Sequence, residues 1–525
     1  MAARIGLSVP YNLFDGDSES SCAYCRAFGG KEAFLKFCED SLDTVEIRSV
    51  KRTANPSELL DAVQSLTERG LGVTIHGDVC PADEFFAPYE SLISKKGNEI
   101  YNITLHPTRD ADYTEKILRD ICRTIEERTY PFFITLENQR IKAHGALGVC
   151  RDVAEIVGRI DSPVLGICFD FGHQLSNVKN GFQDDVDEDF ISRVRHTHIH
   201  SVTDKTHFPL DVGECELEKN LTRLFARGYD GILSLELSAR SFCSELDVAE
   251  SLRHSVDILK YSVYQVEVKE RAREFYKNGY FSAIRELRRS FDASDNCFAL
   301  IGHAAYVIKL SGVRIAVDCS TRILPVSDSV KSYIRDWLSE FDAIIVTHSH
   351  SDHYDRDLIS SLPRSVKKII PDFLPLDTEG RVTVSEDSTV SLGNLRIRFF
   401  GGAHFFMGNG VDEYGFVIEW NGKSYVFPVD ARDYSHEYPH FDNVSCVFTH
   451  LWLGRSLATK PYEQYTDAFC RFAKSFGARK IYVAHLDEVS RNIENMWSKI
   501  HLDKIRESTD AAAPKIGELI SLEEN

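Results

Sequence analysis

Eight short apolar runs alternate with amphipathic stretches over roughly the first 240 residues, and this alternation restricts the fold more than any other feature. The runs are ARIGLSV, DTVEIRSV, LGVTIHG, IYNITLH, PFFITLE, VLGICFD, VRHTHIH and DGILSLEL. Between them lie segments such as PSELLDAVQSLTERG, DYTEKILRDICRTIEERT and RDVAEIVGRI, with apolar residues at three- and four-residue spacing. Pro56 sits where a helix starts and Gly70 where it stops. Strands alternating with helices imply a parallel sheet, and eight such units close into a (β/α)8 barrel.

A chain of 525 residues is too long for one ordinary core. Residues 1–250 are expected to form the barrel, 251–296 a helical connector and 297–525 a second domain, with DASDN (292–296) as the boundary loop. From Cys297 the texture changes. CFALIGHAAYVIKLSGVRIAVDCS reads as two strands joined by a Ser-Gly turn, and YGFVIEWNGKSYVFPVD as a hairpin with an Asn-Gly turn.

The formal net charge of −19, without a block of Lys and Arg, argues against a nucleic-acid partner. RELRRS (Arg285 to Ser290) is the nearest approach to a basic patch and reads as a solvated helix face. No apolar run reaches about 18 residues, so no membrane span is expected. The first residues, MAARIGLSVPYNLF, lack the apolar core of a signal peptide. Thirteen cysteines, an odd number, then point to free thiols in a cytoplasmic protein. The single CxxC, Cys22 to Cys25, reads as loop thiols.

The strongest motif is Thr347-His348-Ser349-His350-Ser351-Asp352-His353, directly after the short strand DAIIV. Three imidazoles and a carboxylate within six residues suit zinc, iron or manganese. Alternate positions can converge on one ion while the next two reach a second.

This HxHxDH pattern resembles the metallo-β-lactamase superfamily over roughly residues 297–500, which implies an αββα sandwich with two divalent ions, zinc or manganese. Asp318 matches the early structural Asp of that family, His404 in GGAHFF the third histidine of the first metal site, and Asp430 in VFPVD the bridging Asp. The resemblance thus assigns His348, His350 and His404 to one ion and Asp352, His353 and His485 to the other, with Asp430 between. His450 in VFTHLWLG competes with His485, which is preferred because it lies farther along, after a helix. The opening IGHAAYVI is similar to the "GHAS" strand of the branch that includes L-ascorbate 6-phosphate lactonase. Membership implies metal-assisted attack on an ester, lactone, amide or phosphodiester, with Asp352 among the catalytic groups.

Catalytic groups of a (β/α)8 barrel sit at the C-terminal strand ends. Those ends carry His76, His106, Glu137, Asp170 with His173, His198 with His200, and Glu236, a convergent metal site. The pattern resembles the xylose isomerase-like TIM-barrel superfamily over about residues 3–245, a group of sugar isomerases, sugar epimerases and the endonuclease IV family. The epimerase likeness implies one divalent ion (zinc, manganese or magnesium) held by Glu137, Asp170, His200 and Glu236, with His198 as the alternative to His200. Glu137 and Glu236 would then remove and return a proton on opposite faces of a carbon next to a carbonyl. His76, His106 and His173 fit the endonuclease IV pattern of three zinc ions instead. The departure follows the seventh strand, where SVTDKTHFPLDVGE offers only Asp204 and His207, three apart, with Asp211 as a further contact, so one or two ions are expected rather than three.

Two functions of different class result. One is a bifunctional enzyme on small, sugar-derived or phosphorylated molecules. The other is a nucleic-acid processing enzyme built from two nuclease-like domains, which the charge disfavours. A scaffold role for either domain has no support in the sequence, and self-association stays open. The loops RTANPS, GDVCPADEFFAPYESL and GRSLATKPYE are expected to shape the pockets, and Arg322, Arg432 and Arg455 are candidates to meet a substrate anion, though each also reads as an ordinary surface arginine.

Overall fold

The computed structural model describes residues 3–14, 22–96, 100–144, 146–238, 241–242, 248–406, 409–460 and 463–523. Pro461 and Tyr462 of the GRSLATKPYE loop lie outside them. The chain divides into two units, residues 1–263 and 264–525. The division falls inside one helix, Val248–Glu274, so the stretch read as a connector is shared between the units.

The first unit is the expected barrel. Its strands are β1 (Arg4–Pro10), β2 (Thr44–Val50), β3 (Gly72–Gly77), β4 (Ile100–Leu105), β5 (Phe133–Glu137), β6 (Leu165–Asp170), β7 (Val194–Ile199) and β8 (Ile232–Leu235). They pair in parallel and in sequence order, and β8 closes onto β1 through Arg4–Ile232 to Leu7–Leu235. Helices cover the outside with apolar stripes, as in Ala111–Glu127, where Ile117, Leu118, Ile121, Cys122 and Ile125 are buried. The helix Pro56–Thr67 starts as expected, with Asn55 accepting from the Ser57 N–H and Pro56 in the first turn. Strand residues on both faces are buried, but a polar set runs through them. Ser8, Thr44, Glu46, Thr74, Asn102, Thr104, Thr135, His196 and Ser234 are all buried on barrel strands. The CxxC is not a loop feature, because Cys25 lies in the short helix Ala23–Phe28 and both thiols are buried.

The second unit is a four-layer sandwich. The first sheet contains β9 (Cys297–Leu300), β10 (Tyr306–Leu310), β11 (Val313–Val317), β12 (Ala343–Ile345), β13 (Lys367–Pro371) and β14 (Arg381–Val384). The second contains β15 (Thr389–Leu392), β16 (Leu395–Gly401), then, after the small hairpin β17 (His404–Phe406) and β18 (Asn409–Val411), β19 (Tyr414–Trp420), β20 (Lys423–Val429), β21 (Val444–His450), β22 (Lys480–Ala484) and β23 (Ala511–Ala512). β24 (Ile520–Ser521) returns to pair with β9. Between the sheets the rings of Phe416, Phe427, Phe448 and Tyr482 stack across four adjacent strands, with successive centroids 4.5, 4.4 and 5.4 Å apart. Helices Tyr280–Ala293, Asp328–Leu338 and Glu463–Ser475 bury one face each on the outer sides.

The Ser-Gly and Asn-Gly turns form as expected, with positive φ at Ser311, Gly312, Asn421 and Gly422. The stretch read as two strands is three. The chain leaves β9 at Ile301, turns back so that the Ile301 N–H donates to Ala305 O, and resumes at Tyr306. The break turns out His303, whose imidazole meets Tyr276 Oη at 3.0 Å.

Candidate metal centres

The sandwich brings its donors to the strand ends. The loop after β12 carries His348 to His353, β17 opens on His404, β20 ends before Asp430, β21 ends on His450 and β22 before His485. Two groups result. In one, His348, His350, His404 and Asp430 offer ligand atoms all within 4.8 Å of one another; in the other, His353, Asp430, His450 and His485 do so. Asp430 belongs to both. His450 and His485 are therefore companions, not alternatives, with His450 Nδ1 2.7 Å and His485 Nε2 3.7 Å from Asp430 Oδ1.

Surrounding groups fix which nitrogen each ring presents. Asp318 accepts from Thr347 N–H and Oγ1 and from His353 Nδ1, at 2.9, 2.7 and 2.9 Å. His353 Nε2 then faces His485 Nε2 at 3.2 Å. His404 Nδ1–H donates to Asp430 O, and His348 Nδ1 faces Thr347 Oγ1 and Glu413. The Nε2 atoms of His348 and His404 are buried without a hydrogen-bond partner. Buried, unpartnered imidazole nitrogens converging on a shared carboxylate fit a cation better than any proton arrangement.

Electrostatics agree. Burial holds the imidazoles of His404 and His450 down, to about 4 and about 3, so both are neutral. Burial works against charge on Asp430, but His485, His450 and His353 outweigh it and hold its carboxyl well below the usual range. Neutral imidazoles and an ionised carboxylate are the ligating forms, whereas at His353 Asp352 and Asp318 outweigh burial and push the imidazole up to about 10. Asp352 stands at the edge of the second group, 3.9 Å from His353 Nε2 and 4.0 Å from His485 Nε2, and pairs with Arg491 at 3.1 Å. Arg491 is anchored in turn by buried Glu488. Of the candidate anion contacts, Arg432 reaches the centre, 3.4 Å from Asp430 Oδ2, whereas Arg322 and Arg455 are exposed.

Backbone strain clusters here. Val429, a β-branched residue, has φ +54° immediately before Asp430, where the β20–β21 register also shifts. Asp318 and His485 also have positive φ, at 49° and 64°. Such strain persists only where packing imposes it, and it aims these side chains.

In the barrel, Glu137 at the end of β5 is ringed by imidazoles. Its Oε2 lies 3.0 Å from His76 Nε2 and 3.0 Å from His106 Nε2, and its Oε1 lies 3.3 Å from His173 Nδ1 and 3.4 Å from His198 Nδ1. His198 Nδ1 is also 3.4 Å from Glu236 Oε2. Asp170 caps the helix Phe171–Lys179 through the His173 N–H and faces His200 Nε2 at 3.1 Å. Donor groups include Asp170, His173, His200 and His207; His76, His198 and Glu236; and Cys168, His196 and His198. His207 therefore joins the mouth, 3.4 Å from Glu236, while Asp204 is exposed against Thr203 and Asp211 bonds Ser251, 3.3 Å away. Burial opposes ionisation of Glu137 and Glu236, yet His198 leads the groups that hold both carboxyls well below the usual range. Glu137 Oε1 and His198 Nδ1 are buried and accept or donate no hydrogen bond, again the signature of a cation cradle.

Each half matches a family model. A family model for the xylose isomerase-like TIM barrel matches residues 103–261, and one for the beta-lactamase superfamily domain matches residues 298–437. The chain joins a xylose isomerase-like TIM barrel to a metallo-β-lactamase-fold domain. The lactamase match includes His348 to Asp430 and ends before His450 and His485, and the TIM-barrel match starts after Glu46 and His76. An uncharacterized protein of Methanocaldococcus jannaschii, MJ1311, is 28% identical over 214 residues, covering 38% of this chain and 68% of its own length. Among solved structures, the metallo-beta-lactamase fold protein YhfI from Bacillus subtilis is 14% identical, with 43% of this chain and 99% of that one covered at a TM-score of 0.31. An L-ribulose 3-epimerase is 15% identical, with 51% and 97% covered at 0.38.

Glu46, Glu413, Glu488 and Arg491 were not legible as site residues in the sequence. Each is buried or half-buried beside a donor, but none stands at a barrel strand end or in a histidine motif.

Proposed function

We propose that the protein is a bifunctional metalloenzyme acting on small molecules. Its barrel isomerises or epimerises a sugar or polyol derivative, and its lactamase-fold domain hydrolyses a lactone, ester or phosphodiester of a related compound. The observation that carries the barrel reading is the pair Glu137 and Glu236, two ionised carboxylates facing the same imidazole nitrogen of His198 at 3.4 Å each. Paired carboxylates across one carbon can take a proton from one face and return it to the other. A divalent ion cradled among Glu137, Asp170, one histidine at the end of β7 (His198 or His200) and Glu236 would polarise the neighbouring carbonyl. In the second domain, ions sharing Asp430 would supply Lewis-acid activation of water and of the scissile group. There Asp318 and Thr347 hold the His353 ring in place, Glu488 and Arg491 hold Asp352, and Arg432 stands beside Asp430 to meet an anionic group.

A second reading, phosphodiester cleavage in the barrel, is favoured by His76, His106, His173 and His207, which exceed what one ion needs. No helix among the described residues is long and apolar enough to cross a membrane, in keeping with the cytoplasmic setting we propose.

Elemental analysis of wild type, Asp352→Ala and Glu137→Ala tests these readings, with each assayed on bis-p-nitrophenyl phosphate, an abasic-site oligonucleotide, free ketoses and sugar lactones. About three to four ions per chain are expected, with losses confined to the mutated domain and ketose epimerisation abolished only by Glu137→Ala. Oligonucleotide cleavage that vanishes with Glu137→Ala would replace the first reading with the second. A metal-free wild type after metal-replete expression would sink both.

A further inference from the structure

Glu46, midway along β2, is a buried carboxylate in the barrel interior that the proposed chemistry does not use. Both of its oxygens lie 3.0 Å from His198 Nε2, and Oε2 is also 3.0 Å from His196 Nε2. A carboxylate accepts only, so each imidazole presents Nε2–H to it. In the neutral form that a metal ligand takes, His198 is thereby left with its lone pair on Nδ1. That atom is buried, has no hydrogen-bond partner, and points into the gap between Glu137 Oε1 and Glu236 Oε2.

His200, two residues on, is held the opposite way. Its Nδ1 accepts the backbone N–H of His207 at 2.9 Å, and its Nε2 faces Asp170 at 3.1–3.2 Å. A neutral imidazole in that setting spends its lone pair on the His207 amide and its proton on Asp170. Ser201 O also lies 3.3 Å from Nδ1, but the His207 N–H is the nearer partner, so the neutral ring keeps no lone pair for a cation even though His200 stands among the donors Asp170, His173 and His207.

We propose that Glu46 is a positioning residue of the barrel centre: it locks His198 in the Nε2–H form, so that His198 Nδ1, and not His200, is the β7 ligand of the ion, while His200 braces Asp170. The proposal rests on the barrel holding a divalent ion. The carboxylate–imidazole–metal relay is the usual way a protein fixes the tautomer and raises the basicity of a ligand, and its loss typically costs about 10- to 100-fold in affinity. His196, the other donor to Glu46, shares Oε2 with His198.

Zinc affinity of the barrel, measured by chelator competition, tests this in wild type, Glu46→Met, Glu46→Gln, His198→Ala and the double variant Glu46→Met/His198→Ala. The lactamase-fold centre serves as the internal control. Glu46→Met should weaken barrel zinc about 10- to 100-fold and leave the other centre unchanged. Glu46→Gln, which keeps one acceptor oxygen, should lose less. In the His198→Ala background Glu46→Met should cost nothing further, whereas a merely structural role would add its full effect. Wild-type affinity in Glu46→Met, or additive losses, would overturn the proposal. Should the variants not fold, anomalous scattering from zinc in wild-type crystals decides it. An ion about 2.0–2.1 Å from His198 Nδ1 supports the assignment, and one bound by His200 overturns it. A barrel without any ion would instead sink the reading of the barrel as a metalloenzyme.

Discussion

Asp430 lies in both donor groups of the lactamase-fold domain, so a single substitution there should behave unlike any other. Asp430→Asn is expected to release both ions of that domain and abolish hydrolysis, while His350→Ala loses only the first ion. Metal content per chain, with the barrel's ions retained in each case, checks the difference. The other donors could be named from the sequence because a histidine cluster after an apolar strand has few packing explanations. Glu46 could not. In DTVEIRSV it occupies what looks like the polar, outward position of an alternating strand, and only barrel closure turns that face inward. Glu413 and Glu488 were hidden for a related reason, since their partners His348 and His485 are 65 and 3 residues away and meet them through loops without periodicity. The choice between His450 and His485 had no answer because both strands end at the same rim.

Short elements hold these side chains to their tasks. The helix that begins after Asp170 carries Gly172 directly under His200. A Cβ there would lie 1.9 Å from the His200 ring. Gly172→Ala should therefore expel the ring, free Asp170 and weaken barrel zinc at least as much as His200→Ala does, a comparison that chelator competition makes directly. In the second unit a π-turn, Phe275–Gly279, places Tyr276 on His303, whose carbonyl accepts the His485 N–H. The helix Lys499–Arg506 depends on a capping box in which His501 Nδ1 accepts from the Ser498 N–H and Nε2–H donates to Ala458 O. Burial holds this imidazole at about 4, below its ordinary 6.5. Above pH 6.5 it is neutral in both folded and unfolded chains. As the pH falls from 6.5 towards 4 the unfolded chain takes the proton first, so stability is lost across that window and no further below it. The loss between pH 7 and 5 should be about 2 kcal/mol, and His501→Gln should abolish it. Urea unfolding of both proteins at the two pH values measures this.

At the scale of the whole molecule, the barrel followed from hydrophobic period, because strands buried on two faces and helices buried on one write different patterns, whereas the sandwich was legible through the resemblance carried by the HxHxDH motif. The break between β9 and β10 did not follow, since IGHAA is as apolar as the strands it separates. Each unit buries carboxylates and imidazoles that a cation would neutralise, so chelation should lower the thermal midpoint of both unfolding transitions, and added zinc should restore it. Calorimetry with and without chelator reports this, and a midpoint indifferent to chelation would argue against resident ions. The two interiors differ in one further respect. The barrel strands bury serines, threonines, an asparagine, a glutamate and histidines, whereas the sandwich is filled by stacked phenylalanines and tyrosines. On unfolding, newly wetted apolar surface raises the heat capacity by about 0.45 cal/K/mol/Å² and polar surface lowers it by about 0.26. The sandwich should therefore have the more sharply curved stability profile of the two. Refrigeration would erode it sooner than the barrel, and storage in the cold would endanger the lactamase-fold half before the barrel half.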